Sequence, residues 1–316
     1  MTGAAGYIGA AAVQELLQAG KAVRALDCLN VGGESLLSFW GHPKLEFLRG
    51  DITDEGLRRK ALVDVESVVH LAAMVGDPAC KQQPELARRI NLEASCQLGE
   101  EARAAGVLNF IFVSTCSNYG LSDPNTLASE ESPLRPLSLY AETKVAVEQY
   151  LLERSDGMAV TVLRLATVYG VAPRMRFDLT VNEFARDAVL RGQIQIYGEQ
   201  HYRPYVHVRD VARAIVTVLA SPDSVRRGQI FNVGDTEENY SKRALGRLLQ
   251  ERLPNLKIDY VASGPDPRSY RVNFGKIRSV LGFAPRYRVP DGMDQVISLV
   301  RSGIPTDPYE ARWRNT

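Results

Sequence analysis

The sequence is poor in everything that marks a disulfide scaffold, a metal protein or a nucleic-acid binder. Its four cysteines, Cys28, Cys80, Cys96 and Cys116, include no Cys-x-x-Cys and no metal-ligand spacing. Four histidines are scattered without a zinc pattern. Lysine plus arginine (38) and aspartate plus glutamate (37) cancel to a formal charge of +1, which gives no electrostatic footprint for nucleic acid. No apolar run approaches the roughly 18 residues needed to span a bilayer, and no leader segment is visible. These absences set the expectations: a cytoplasmic, reducing setting, free thiols, no metal, no nucleic-acid partner and no membrane. Also lacking is any strand ahead of the opening turn, "MTGAAGYIGA". Glycine turns of this kind normally follow a β-strand.

What is present is a β-α-β rhythm. Helix formers run from Ala10 to Leu17. The segments "KAVRALD", "KLEFLRGDITD", "SVVHLAA", "NFIFVST" and "AVTVLRLATVYG" are strand-like, and "NLEASCQLGEEARAAG" and "SLYAETKVAVEQYLLERS" are helical. This alternation predicts an α/β fold, a doubly wound parallel Rossmann sheet covered by helices, with its first strand apparently missing. The later chain is less regular and predicts a smaller mixed α/β substrate-binding lobe. The expected division is 1–165 for the dinucleotide domain, with 204–234 returning to it, and 166–203 plus 235–316 for the second lobe.

Three glycines, Gly3, Gly6 and Gly9, let the backbone of the turn approach phosphate. Tyr7 and Ile8 lie between them, and the following helix offers free N–H groups and its positive end. Asp27 closes the next strand about 20 residues on. A carboxylate there accepts both ribose hydroxyls of NAD and repels a 2′-phosphate. Asp51 and Ile52 fall where adenine would lie, and Leu71, Ala72 and Ala73 end a strand whose small residues admit a cofactor. Tyr140 and Lys144 stand four apart on a helix and share a face. The ammonium favours the phenolate and so makes a base of the phenol. Thr115, at the end of the preceding strand, is placed to hydrogen-bond the same substrate hydroxyl. Asp77 and Cys80 in "VGDPAC" read most simply as turn residues.

In order and spacing, "TGAAGYIG", Asp27, "GDITD", "HLAA", Asn91, "STCSNYG", "YAETK", "RPYVHVRDVARA" and "FNVGD" resemble the extended short-chain dehydrogenase/reductase family, in its nucleotide-sugar epimerase/dehydratase branch. The resemblance implies NAD as cofactor and a nucleotide-diphosphate sugar as substrate. It makes Tyr140 the base, with Lys144 tuning it and holding the nicotinamide ribose, and Thr115 the orienting hydroxyl. It assigns Arg203 to the diphosphate, offers Arg268 as a second phosphate arginine, and puts Thr167 and Asn182 against the substrate. His207 is read as structural, and the loop holding Asp77 and Cys80 borders the sugar pocket in relatives. Relatives pair through the helices over 91–105 and 138–154, which implies a homodimer.

Two departures narrow the branch. Dehydratases of the family follow the catalytic threonine with an acidic pair, and decarboxylases keep a glutamate at the second place. This chain has Cys116 and Ser117 there. The first reading is therefore an epimerase working at C4 through a 4-keto intermediate. The rivals are a nucleotide-4-keto-deoxysugar reductase, then a dehydratase, and more remotely a non-catalytic NAD-binding or RNA-associated relative. The absent first strand carries its own expectation. A start some residues upstream would complete the sheet, and the chain as written would be unstable or bind NAD poorly.

Overall fold

The computed structural model describes residues 1–121, 126–262, 266 and 268–315. In chain order the elements are α1 (Tyr7–Gln18), β1 (Val23–Asp27), β2 (Leu45–Arg49), α2 (Glu55–Leu62), β3 (Ser67–His70), α3 (Asp77–Gln82), α4 (Pro84–Arg88), α5 (Ser95–Ala104), β4 (Asn109–Thr115), α6 (Leu139–Glu153) and β5 (Ala159–Leu165). There follow β6 (Thr167–Tyr169), α7 (Thr180–Arg191), β7 (Gln193–Tyr197), β8 (Tyr202–His207), α8 (Val208–Ala220), α9 (Asp223–Arg226), β9 (Gln229–Val233), β10 (Asn239–Ser241), α10 (Lys242–Arg252), β11 (Lys257–Val261), α11 (Gly275–Leu281) and α12 (Val289–Arg301). Short 3-10 turns and one π-helical turn, Arg89–Ala94, join them.

The main sheet is parallel. β1 pairs with β2, and β3, β4, β5 and β9 lie side by side in that order. Between the two groups stands a single residue of a first strand. Thr2 forms parallel bridges to both Leu26 and His70. Its N–H donates to the Val69 carbonyl at 3.1 Å, and the Leu26 N–H donates to Met1 O at 2.8 Å. With Thr2 counted, the spatial order is that of a doubly wound sheet, with the chain reversing its direction of travel at Thr2.

Composition explains the centre of this sheet. β4, "NFIFVST", is buried through its first six residues and β5 throughout, so neither alternates. Continuous apolar runs are what a parallel strand covered on both faces requires. Each of Phe110, Ile111 and Phe112, fully buried, stabilises the fold by about 1.5–3 kcal/mol. On one face, the small side chains of Ala11 and Ala12 on α1 let α8 pack closely through Val211, Ala212 and Ile215. On the other, Leu98 and Ala102 of α5 and Val147 and Leu151 of α6 cover Phe110 and Phe112.

Beyond β5 the strands leave the main sheet. β6, β8 and β10 form a three-stranded sheet, and β7 pairs with β11. β9 alone of the later strands returns to β5. Helix α1 begins earlier than the helix expected from Ala10. Tyr7, Ile8 and Gly9 form its first turn, so the glycine loop runs directly into a helix N-terminus.

Candidate active site

The glycine loop is shaped by close approach. Gly3 has φ +66°, and a Cβ there would lie 2.8 Å from the Ala72 nitrogen. A Cβ on Gly9 would sit 2.0 Å from the Gly3 carbonyl oxygen. Gly6 precedes α1 with extended backbone and caps it without a side chain. The first N–H groups of α1 have no partner within the helix and face the loop. Asp27 is tied to this loop. Its carboxylate accepts from the N–H of Ala5 at 2.9 Å and from that of Leu29 at 2.8 Å. The loop, Asp27 and the Leu71–Ala73 strand end thus meet at one edge of the sheet.

Thr2 also serves this edge. Its hydroxyl lies 2.7 Å from His70 Nδ1 and accepts from the N–H groups of Leu71 and Ala72, each at 3.2 Å. His70 Nε2 meets Ser95 at 2.9 Å. Burial lowers the His70 pKa to about 3, so the ring is neutral and acts as a fixed bridge. Sequence reading treated His70 only as part of a strand.

Ser138 caps α6, its hydroxyl accepting from the Ala141 N–H, and sets Tyr140 and Lys144 in the first turns. Lys144 is buried. Its Nζ donates to the Val113 carbonyl at 2.9 Å, 4.7 Å from the Phe112 ring centre and 5.9 Å from that of Tyr140. Burial lowers its pKa to about 8, while Glu148, one turn further along α6, pulls it up. Glu148 is in turn buried against Arg164 at 2.7 Å and accepts from Asn118 at 2.8 Å.

The Tyr140 phenol is half-buried, and desolvation raises its pKa above the ordinary value. The lowering expected from Lys144 does not dominate in the protein alone, because the ammonium is engaged with Val113 and meets the ring at a distance. Thr115, half-buried at the end of β4, accepts from the Ser117 N–H at 3.1 Å and lies 2.5 Å from the Ser117 hydroxyl.

Asp51 closes a turn by accepting from the Thr53 N–H at 2.8 Å. Ile52 is buried with Leu26 and Ala94 beneath Ala72. Thr167 opens β6, partly exposed, opposite Tyr205 of β8. Arg203 and Arg268 converge on Asp266 at 2.9 and 2.8 Å, and Arg268 also reaches Asp77 at 2.8 Å.

One assignment is narrowed to the backbone and one needs correction. Tyr7 does not offer its side chain to a cofactor. The ring is buried, its hydroxyl donates to the Gly170 carbonyl at 2.6 Å, and only its backbone faces the loop. Asn182 is 0% exposed. It accepts from the Gly170 N–H at 2.9 Å and donates to Arg176 O at 2.8 Å and Tyr7 at 3.3 Å. It is therefore committed to fixing the loop after β6, with both amide hydrogens spent inside the fold.

His207 is structural as expected, stacked on Tyr287 at 4.3 Å and bonded to Gln295 at 2.9 Å. Missed by sequence reading was Arg176, which acts electrostatically on both Tyr140 and Tyr7. Asn91 holds the loop after β3 by bonding both backbone groups of Met74, at 2.7 and 2.9 Å, from within the π-helical turn. A separate cleft of about 430 Å³ lies beside α1 and α8, lined by Gln14, Arg209, Arg213, Arg286 and Tyr287. None of the site residues borders it.

Among the described residues no cluster could hold a metal ion, and no helix is long and apolar enough to cross a membrane. The loop fits a dinucleotide. Gly3 and Gly9 leave no room for side chains, α1 presents its N-terminus, and the Asp27 carboxylate stands at the end of β1 beside the loop.

A Rossmann sheet with this loop and a Tyr-x-x-x-Lys helix defines an enzyme of the extended short-chain dehydrogenase/reductase class. The chain belongs to the NAD dependent epimerase/dehydratase family, whose pattern it matches over residues 1–234. It is 32% identical over 310 residues to a dTDP-glucose 4,6-dehydratase of Streptomyces griseus, covering 94% of this chain and 92% of that protein. It is 29% identical over 321 residues to a UDP-glucose 4-epimerase of Lactobacillus helveticus, covering 94% and 93%. The structure of DesIV, a dTDP-glucose 4,6-dehydratase from Streptomyces venezuelae solved with NAD bound, superposes with a TM-score of 0.86 at 28% identity, covering 96% and 97%. NAD is the cofactor of this family, and nucleotide sugars are the substrates its relatives are named for.

Proposed function

We propose that this protein is an NAD-dependent nucleotide-sugar epimerase acting at C4 through a 4-keto sugar. The observation that carries this reading is the end of β4. Where elimination needs a carboxyl group, the chain has Cys116 and Ser117. The Cys116 thiol is fully buried against Arg164 O at 3.3 Å, and burial raises its pKa well above the ordinary thiol value. The Ser117 hydroxyl is spent on Thr115. Asp77, a carboxylate close enough to influence Tyr140, is held by Arg268.

In this reading Gly3, Gly6, Gly9 and the first N–H groups of α1 hold the pyrophosphate. Asp27 holds the adenosine ribose, Asp51 and Ile52 flank the base, and Leu71, Ala72 and Ala73 line the path to the nicotinamide. NAD supplies the hydride acceptor. Tyr140 takes the proton of the C4 hydroxyl and later returns it. Lys144 bears a positive charge near neutral pH and favours the phenolate once substrate is seated. Thr115 orients the reacting oxygen. Arg203 and Arg268 take the diphosphate, and Thr167 meets the sugar side.

A homodimer through α5 and α6 belongs to the same reading. Cys96 and Tyr150 are partly exposed on these helices. A cytoplasmic setting suits four free thiols.

The test is to offer UDP-glucose, UDP-galactose, UDP-glucuronate and dTDP-glucose and identify products by NMR while following absorbance at 340 nm. An epimerase yields the C4 epimer of at least one, with no net NADH change. A 4-keto-6-deoxy product would make it a dehydratase. Net NAD(P)H consumption on a 4-keto-deoxysugar nucleotide would make it a reductase.

A further inference from the structure

Four charged side chains alternate across the mouth of the site: Asp77, Arg268, Asp266 and Arg203. Asp77 is the first residue of α3, in the part of the chain that carries the cofactor loop. Arg268 and Asp266 lie in the segment after β11, and Arg203 lies in β8. Asp77 and Arg268 meet at 2.8 Å. Arg268 takes Asp266 through two bonds, at 2.8 and 2.9 Å, and Asp266 also accepts from Arg203 at 2.9 Å. Two cations and two anions therefore balance before any ligand enters. Helix α3, which begins at Asp77, packs against α6, which carries Tyr140, so the row lies beside the reacting centre.

The inference rests on the proposed function, which gives Arg203 and Arg268 to the diphosphate. An arginine fork bonds phosphate and carboxylate with the same planar, bidentate geometry, so the two anions compete for the same N–H groups. The two carboxylates differ in mobility. Asp266 is two residues from Arg268 and also accepts its backbone N–H at 3.1 Å, so it travels with the arginine. Asp77 belongs to another element and, among the described residues, is joined to the row only through the Arg268 side chain. That link is the one free to part.

We propose that Asp77 is an exchange residue. It holds Arg268 across the cleft in the free protein, yields it to the incoming nucleotide diphosphate, and is left with an unpaired carboxylate that accepts a hydrogen bond from a hydroxyl of the bound sugar. Asp77 thus opposes the nucleotide and favours the sugar.

The test compares the wild type with Asp77→Asn and Arg268→Gln, all loaded with NAD. UDP and dTDP are titrated by calorimetry, and kcat and KM are measured on whichever nucleotide sugar the wild type turns over. Asp77→Asn keeps the shape of the side chain and removes the competing charge. It is expected to bind the free diphosphate about tenfold more tightly and to lower kcat, whereas Arg268→Gln weakens diphosphate binding. A merely structural Asp77 would weaken or leave unchanged the binding of UDP and dTDP when replaced, and that result overturns the proposal alone. A wild type that binds neither diphosphate overturns the reading of the arginines as well.

Discussion

The Asp27 carboxylate accepts the N–H of Ala5 at 2.9 Å, which locks the end of β1 to the glycine loop 22 residues earlier in the chain. One carboxylate therefore shapes the glycine loop, and in the proposed reading it also presents the ribose acceptor. Asp27→Asn keeps the size but loses the ionised acceptor. A hydrogen bond to a charged group is worth about 1.5–3 kcal/mol. NAD affinity is expected to fall roughly 10- to 100-fold, and discrimination against NADP is expected to relax. Titration of both cofactors by calorimetry reads this directly.

Gly9 makes a second, steric prediction. Gly9→Ala would force a Cβ to within 2.0 Å of the Gly3 carbonyl, which must then move. Overpacking of this kind costs about 1–3 kcal/mol, and here it also reshapes the cradle. Gly106→Ala is the control. Gly106 has φ +75° but no atom within 4 Å of an added Cβ, so only backbone strain is incurred and NAD binding should be unchanged. Thermal melts with and without NAD separate the two variants.

Lys144 predicts a pH effect. In the unfolded chain its pKa returns to about 10.5, against about 8 when buried. Between those values the unfolded chain holds a proton that the folded one has released. The unfolded state then binds more protons, so this residue makes stability rise with pH from about 8 to 10.5. Below pH 8 both states are protonated and the burial penalty is fully felt. Lys144→Met should remove that slope and be more stable at pH 7, by up to roughly 3 kcal/mol at about 1.36 kcal/mol per pKa unit. The same variant should lose turnover. Urea denaturation of both proteins across pH 7–10 gives the difference.

Glu148 predicts the opposite response to neutralisation. It is the buried partner of Arg164, and Ser114 and Asn118 also bond to it. Glu148→Gln leaves the guanidinium buried without a counter-charge, which costs about 3–5 kcal/mol. Glu148→Gln with Arg164→Met removes both charges and should recover much of that loss. If the single and double variants melt alike, the ion pair is not what holds α6 on β5.

Local patterns made part of this site legible from sequence. Tyr140 and Lys144 share a face because they are four apart on one helix, and Asp27 follows a strand that follows the loop. Their spacing is their geometry. Asn182 misled because its direction is set by the backbone of Gly170, on the loop after β6, which tertiary packing also brings to the Tyr7 hydroxyl. A polar residue near a helix start looks the same whether it faces a ligand or a buried carbonyl. Arg203 and Arg268 were visible as cations, but Asp266 and Asp77 as their partners were not, since ion pairs between distant segments leave no periodic trace. The β-α-β alternation read well where strands were continuously apolar, as in β4. Strand β6 was read as a continuation of β5, because "AVTVLRLATVYG" shows no break at Ala166, and β10 was not recognisable, because three residues give no period.

The most direct test of the proposed chemistry is replacement of the Tyr140 hydroxyl. Wild type and Tyr140→Phe are incubated with the nucleotide sugar that the wild type epimerises, and the C4 epimer is quantified by NMR alongside NAD content. Tyr140→Phe is expected to retain NAD and lose turnover by about 10²–10⁴-fold, the usual contribution of a positioned acid–base group. Turnover within a few-fold of the wild type, with NAD still bound, would contradict the assignment of Tyr140 as the base.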